Sequence, residues 1–296
     1  MVALSPPVFR REESKGHRAS TFQLAIWQAW LDYWQLVGEY KERLNAPVYG
    51  LALGDLGDLN KHSNAQLISP LKTDVHRALL DVMEPAQVVV DSWFFVRGTE
   101  AHVGASGEIE EWLANDTKNA VHSFASTASW WVWNAEIAGV RIHATHHPPS
   151  GTKLAGNRGE AVSRSCRYLA NECEENGAVK PHLAFWAHRH WYAPGYNLGI
   201  YGYAVPSWKG LGAFGRRIGI GHPSPVGGMI CIIPGLDGEA WTVKPPFLRK
   251  PPSLPIWTPD STETSTSTPR SSSRKSKSGK RRGLLSRLAR SRGDSS

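Results

Sequence analysis

The residues best suited to chemistry lie in four short polar segments, each directly after an apolar run. They are GDLGD at 54–58, GTEAH at 98–102, the pair HH at 146–147 and HRH at 188–190. A carboxylate together with several imidazoles suits a divalent transition metal such as Mn, Fe or Zn. A His-x-His spacing places both imidazoles on one side of a strand or its exit loop, because residues i and i+2 project the same way. The sequence therefore predicts a metal site that includes Asp55.

The elements that must position these segments alternate between helices and apolar strands. Ser20 and Gln23 have the spacing of a capping box and begin a helix that we predict over 20–44. Further helices are predicted over 72–83, 107–119 and 158–176. Strands are predicted over 48–53, 87–96, two within 130–146 turned at Ala138-Gly139, 182–186, 198–205, 228–233 and 239–243. This order predicts a layered α/β domain, in which loops after strand ends hold the ligands.

The net charge of +8 is concentrated at one end of the chain. Ten basic and three acidic residues lie beyond residue 259, whereas residues 1–259 hold 24 basic and 23 acidic residues. The charge of the folded part therefore gives no argument for a nucleic-acid-binding face. From about residue 250 the composition becomes Pro-rich, then Ser/Thr-rich, then Lys/Arg-rich, which predicts a disordered tail over 250–296 after a domain over 1–249.

Several classes of protein are excluded by composition. No apolar run approaches the length of a transmembrane helix, and the N-terminal residues do not have the pattern of a signal peptide. Three cysteines, at positions 166, 173 and 231, are too few for a disulfide framework and match no zinc knuckle. We therefore expect a cytoplasmic protein in a reducing compartment. The 13 tryptophans are scattered along the chain, and we expect most of them to pack in a core.

Read in order, the polar segments resemble the motifs of the calcineurin-like metallophosphoesterase family. That family has Asp-x-His, then Gly-Asp-x-x-Asp, Gly-Asn-His-Asp/Glu, a His after a strand, and Gly-His-x-His. Here GDLGD supplies the second motif, His146 matches the lone histidine, and AHRH at 187–190 matches the last motif with Ala187 in place of Gly. The resemblance covers about residues 1–245. It looks closest to the members encoded by bacteriophages, and it implies a β-sandwich flanked by helices.

The resemblance also implies roles for the residues. Asp55 would bridge two metal ions about 3.5–4 Å apart, with Asp58 as its support. His146 and His188 would bind one ion, and His190 would bind the other. Arg189 would contact a substrate phosphate through its guanidinium fork, unless it is simply an exposed loop residue.

The third motif departs from the family pattern. Gly98-Thr99-Glu100 stands where the family has Gly-Asn-His, and Thr99 is a poor replacement for an Asn ligand. Glu100 occupies the position of the acid that protonates the leaving group. His102, two residues later, is our candidate for that role, and the alternative is that it only caps or packs.

The first motif is missing. No Asp-x-His precedes Gly54, and no strand is predicted before the first helix, so we expect that the chain begins downstream of the family's first strand. Without that motif the second metal keeps only Asp55 and His190 from the chain, and we expect one bound metal instead of two.

These observations leave three functions open. The first is a metal-dependent phosphoesterase that hydrolyses a phosphate mono- or diester, in a nucleotide or nucleic acid. The second is a noncatalytic binding or scaffold protein on a degenerate phosphoesterase fold. The third assigns the function to the basic tail, whose Lys and Arg residues suit neutralisation of nucleic-acid phosphates without reading of bases.

Overall fold

The protein is described here by a computed structural model. The structure describes residues 4–9, 16–59, 67–124, 126–150, 155–210, 224–234, 241–244 and 246–250. The predicted disordered tail over 250–296 lies outside these residues from position 251 onward, as do positions 239 and 240 of a predicted strand.

Five α-helices carry the outer layers of the described part of the chain. They are α1 (Thr21–Leu44), α2 (Lys72–Gln87), α3 (Glu100–Val103), α4 (Glu108–Asp116) and α5 (Arg158–Glu175). Ser20 caps α1, and its side chain and that of Gln23 make the reciprocal bonds of the predicted capping box. Among the described residues, no helix combines the length and apolar character needed to cross a membrane.

The strands form one large sheet and several pairs. They are β1 (Val8–Phe9), β2 (His17–Arg18), β3 (Tyr49–Ala52), β4 (Ser92–Phe95), β5 (Trp133–Ile137), β6 (Val140–Thr145), β7 (Leu183–Trp186), β8 (Ala193–Asn197), β9 (Ile200–Ala204), β10 (Val226–Gly228), β11 (Cys231–Ile232), β12 (Thr242–Val243) and β13 (Phe247–Arg249). The large sheet has the order β5-β6-β7-β9-β8, with β6, β7 and β9 parallel to one another. Strands β3 and β4 form a second, parallel pair.

Apolar side chains join these elements in layers. One buried cluster lies between the β3–β4 pair and the large sheet, and includes Leu53, Val96, Leu183 and Phe185. A second packs the other face of the large sheet on α5, and a third packs α1, α2 and α4 on β4. Two sheet layers with helices on both outer sides confirm the predicted layered α/β fold.

Most tryptophans pack in this core, as predicted. Trp30, Trp34 and Trp93 are buried and meet edge to face, an arrangement that aromatic quadrupoles favour. Trp131 is an exception, because 55% of it is exposed and Arg97 lies over its ring.

The predicted element order holds, with local corrections. The prediction that no strand precedes the first helix is wrong, because β1 and β2 form a short antiparallel pair there. That pair belongs to neither of the sheets whose ends carry the polar segments. The predicted strand over 87–96 is shorter, because α2 continues through Pro85 to Gln87 and β4 begins at Ser92. Strand β8 was not predicted, since it contains Pro194 and Gly195; Pro is tolerated there because β8 is an edge strand.

Candidate metal centre

The parallel strands β3 and β4 bring two of the polar segments to the same edge. After β3, Gly54 and Asp55 both adopt positive φ angles, of 76° and 54°. After β4, Gly98 lies against this turn so closely that a Cβ on it would come within 2.2 Å of the Asp55 amide nitrogen. A Cβ on Gly54 would likewise come within 2.6 Å of Gly98 Cα. Only glycine at both positions lets the two loops touch.

The carboxylate of Asp55 is held by both loops and by a histidine. Its Oδ1 accepts a hydrogen bond from the Thr99 backbone N–H at 2.7 Å, and its Oδ2 lies 3.1 Å from His146 Nε2. Burial acts to raise the pKa of Asp55, but the hydrogen bond and charge of His146 and the Thr99 amide outweigh it and lower the pKa to about 2. Asp55 is therefore ionised and fixed in direction.

His146 follows β6 and is 3% exposed. Its Nδ1 lies 2.6 Å from the carbonyl oxygen of Leu53, so Nδ1 carries the proton and donates it. Nε2 faces Asp55, and in the protonated form of the ring it donates a hydrogen bond to Oδ2. Burial acts to lower the pKa of His146, yet the hydrogen bond and charge of Asp55 prevail and raise it. A backbone carbonyl that fixes the tautomer in this way is the usual support of a metal-binding histidine.

His147 and His188 complete a cluster with His146. One ring nitrogen from each of the three lies within 4.8 Å of the other two. His188 follows β7, which is parallel to β6, so both loops leave the same edge of the large sheet. Burial and the neighbouring His147 and His146 lower the pKa of His188 to about 4. Burial and His146 also lower the pKa of His147. Low pKa values keep these two imidazoles neutral, which is the form that binds metals.

The hydroxyl group of Thr99 lies at the centre of the cluster. Its Oγ1 is 3.3 Å from both His146 Nε2 and His188 Nδ1, 3.4 Å from His147 Nε2, and 3.4 Å from Asp55 Oδ2. Thr99 thus takes part in the site through both its amide and its hydroxyl.

His190 lies apart from the three-histidine cluster. It adopts a positive φ of 55°, and burial followed by the charge of Lys209 lowers its pKa to about 4. The charges of Asp55, His188 and His146 also act on it, so it lies near the cluster.

His102 and Asp58 form a pair beside the cluster. His102 lies in α3, directly after the Thr99 loop, and its Nδ1 is 3.7 Å from Asp58 Oδ2. The hydrogen bond with Asp58 raises the pKa of His102, against the opposing effects of burial and Lys209. The carbonyl of His102 also accepts the Leu59 N–H at 2.7 Å, which holds the Asp58 loop against α3. The Gly-Asp-x-x-Asp and Gly-Thr-Glu segments therefore contribute jointly to this pair.

Two other predicted residues have different environments. Glu100 is exposed at the start of α3 and does not belong to the histidine cluster. Arg189 lines a small cavity with Trp186, Ser165 and Trp191, and its Nε is buried without a hydrogen-bond partner among the described residues. Its guanidinium is therefore directed partly inward.

Three residues near the site were not predicted for it. His147 stands beside a predicted ligand, so the HH doublet itself was the available signal. Lys209 acts on both His190 and His102, and nothing in its sequence context marks it. Glu110 is fully buried beneath the site, although the sequence suggests only an acidic first turn of a helix.

The donors of the cluster fit a divalent transition metal. The imidazole nitrogens of His146, His147 and His188 lie close enough together to hold one ion, and Asp55 lies beside them, 3.1 Å from His146 and 4.0 Å from His188.

Among known proteins, the chain is similar only to some whose structures have been solved. No family model matches the chain, and no curated protein matches it. Vps29 from Cryptosporidium parvum is 14% identical over 69% of this chain and 98% of its own, with a TM-score of 0.36. Vps29 complexed with Zn²⁺ from Entamoeba histolytica is 13% identical over 67% of this chain and 98% of its own, with a TM-score of 0.34. A single mutant of the same Entamoeba protein is 12% identical over 80% and 93%, with a TM-score of 0.36. Identities and scores this low carry no argument about activity.

Proposed function

We propose that this chain is a metal-dependent phosphoesterase that hydrolyses a phosphate mono- or diester, and that it holds one metal ion firmly. The observation that carries the proposal is the convergence of Asp55, His146, His147 and His188, from three strand ends, on the hydroxyl of Thr99. The choice of reaction is supported by the motif resemblance to calcineurin-like phosphoesterases, which extends to sequence segments of the bacteriophage-encoded members. When bound, the ion would lower the pKa of a water molecule and polarise the phosphoryl group.

The residues around the cluster have distinct tasks in this proposal. Asp55 stays ionised and presents Oδ2 toward the imidazoles, since the Thr99 amide holds its other oxygen. His102 keeps a proton because Asp58 stabilises its charged form, and its Nε2 is the atom that protonates the leaving group. Lys209 adds positive charge near His102 and His190, which favours an anionic substrate.

The test measures Mn²⁺-dependent hydrolysis of bis-p-nitrophenyl phosphate and of p-nitrophenyl phosphate. We expect Asp55→Asn to abolish turnover and weaken Mn²⁺ binding. The matched control is His143→Gln, because His143 is a histidine on β6 that pairs with Asn134 and does not belong to the cluster. Turnover that persists in Asp55→Asn, or that depends equally on His143, would reject the proposal. The ratio of the two substrates also distinguishes a diesterase from a monoesterase.

A noncatalytic binding role is the second candidate, and the Thr99 hydroxyl favours it. Thr99 replaces the Asn of the resembled family at the centre of the site, and the structure shows a single three-histidine cluster among the residues it describes. Metal binding without any hydrolysis in the same assay would select this candidate.

The basic tail is a separate proposal about partners. Its excess of Lys and Arg beyond residue 259 suits contact with nucleic-acid phosphates. Binding to single- or double-stranded DNA, measured across a salt series with and without residues 260–296, tests it. We expect affinity that falls steeply with salt and is lost on deletion. Affinity that survives the deletion would assign the contact to the domain.

A further inference from the structure

A buried carboxylic acid lies directly beneath the two loops of the candidate metal centre. Glu110, in the first turn of α4, is 0% exposed, and its Oε1 accepts the backbone N–H of Leu56 at 3.2 Å. The backbone amide of Gly98 acts on the same carboxyl group more weakly than that of Leu56 does. Its Oε2 is buried and has no hydrogen-bond partner among the described residues. A buried carboxyl without a counter-charge is costly, so its retention calls for a role.

The Leu56 amide that Glu110 binds and the nearby Gly98 amide belong to opposite sides of the site. Leu56 directly follows Asp55, and Gly98 directly precedes Thr99, whose N–H and hydroxyl both approach the Asp55 carboxylate. Asp55 adopts a positive φ of 54°, a conformation that costs an L-residue free energy unless its surroundings enforce it. A buried group that binds the amide directly after Asp55 holds this strained turn in place, and the turn in turn lies against Gly98 of the facing loop.

We infer that Glu110 is a positioning residue, which clamps the Asp55 loop to α4 through the Leu56 amide and so directs the Asp55 carboxylate toward the histidine cluster. The inference rests on the proposed function in taking Asp55 as a metal ligand. The clamp itself is a property of the metal-free chain and is tested separately. Burial raises the pKa of Glu110 to about 7, which fits a group whose neighbours are neutral amides rather than cations.

The first test follows backbone amide hydrogen exchange in the metal-free protein, in the wild type, Glu110→Gln and Glu110→Leu. Glutamine keeps one acceptor oxygen in the same shape, whereas leucine keeps the volume and removes both acceptors. We expect exchange at the Leu56 amide to accelerate about tenfold or more in Glu110→Leu and less in Glu110→Gln, since this amide then loses its partner. The control is Glu108→Gln, in the same helical turn, whose carboxylate pairs with Lys72 outside the site.

The second test measures Zn²⁺ affinity by competition with a chromophoric chelator. We expect a loss of about 10- to 100-fold in Glu110→Leu, partial recovery in Glu110→Gln and none in Glu108→Gln, as for other groups that support a ligand. Unchanged exchange and unchanged affinity in a folded Glu110→Leu would overturn the inference. If Glu110→Leu fails to fold, Glu110→Gln decides: its amide exchange must be measurably faster, and its Zn²⁺ affinity measurably lower, than in the wild type. A wild type that binds no Zn²⁺ but shows the exchange pattern would reject the proposed function while keeping the clamp.

Discussion

The site has two halves with different physical character. The histidine cluster (His146, His147 and His188, with the carboxylate of Asp55) is tightly held by hydrogen bonds to Leu53 and Thr99. The His102 half (His102, Asp58, His190 and Lys209) has a longer ion pair, of 3.7 Å, and a nearby cation. Fixed imidazoles, two of them with lowered pKa values, suit the binding of an ion. An imidazole with a raised pKa and a lysine beside it suits an anionic substrate and its leaving group. In the proposed function, holding the metal and moving the proton therefore fall to different loops.

The largest expected effect distinguishes the two halves of the site by their contributions to turnover. His102→Ala should lower the turnover of bis-p-nitrophenyl phosphate by about 10²- to 10⁴-fold, the usual contribution of a general acid. Its Mn²⁺ affinity should stay within about threefold of the wild type, because His102 belongs to the other half. Steady-state kinetics and a metal titration on the same preparation check both. An unchanged turnover would reduce His102 to a packing residue.

The next effect distinguishes the two halves of the site by their contributions to metal affinity. His146→Ala removes a buried nitrogen aimed at the carboxylate of Asp55, and we expect Zn²⁺ affinity to fall by about 100-fold or more. His190→Ala removes a histidine outside the cluster, and we expect a fall of less than about tenfold. Competition with a chelator of known affinity measures both variants. Equal losses would show that the two halves form one site.

The smallest effect is on stability as a function of pH in the metal-free protein. His188 has a pKa of about 4 when folded and 6.5 as a free group, so between these pH values the unfolded state binds more protons and stability falls as the pH falls. His102 has a raised pKa, so it contributes stability below 6.5 that is lost as the pH rises through its folded pKa. His188→Gln should flatten the slope between pH 4 and 6.5.

Urea unfolding at half-unit pH steps, with EDTA present, tests these opposite signs. His102→Gln should change the slope above pH 6.5 in the other direction. Two variants with the same slope change would contradict the division into halves.

The layered fold and the polar loops at its strand ends could be predicted from the sequence, because an apolar run that ends in a polar segment is a local pattern. The fine arrangement of the site depends on long-range contacts. Thr99 could be judged only as a poor substitute for Asn, whereas its hydroxyl lies among four polar groups from three other loops. His147 lies against His188 and Glu110 binds the amide of Leu56, 54 residues away, and no local spacing encodes contacts between positions so far apart.

The contact between Gly54 and Gly98 has a consequence for how this chain tolerates sequence change. If both codons were randomised together and the library selected for metal uptake, we expect glycine to return at each position, because a methyl group on either one meets backbone and not a movable side chain. Codons of the exposed Glu100 should drift freely in the same experiment. Two invariant positions without any functional group would then mark the site in a set of related chains more reliably than its histidines do.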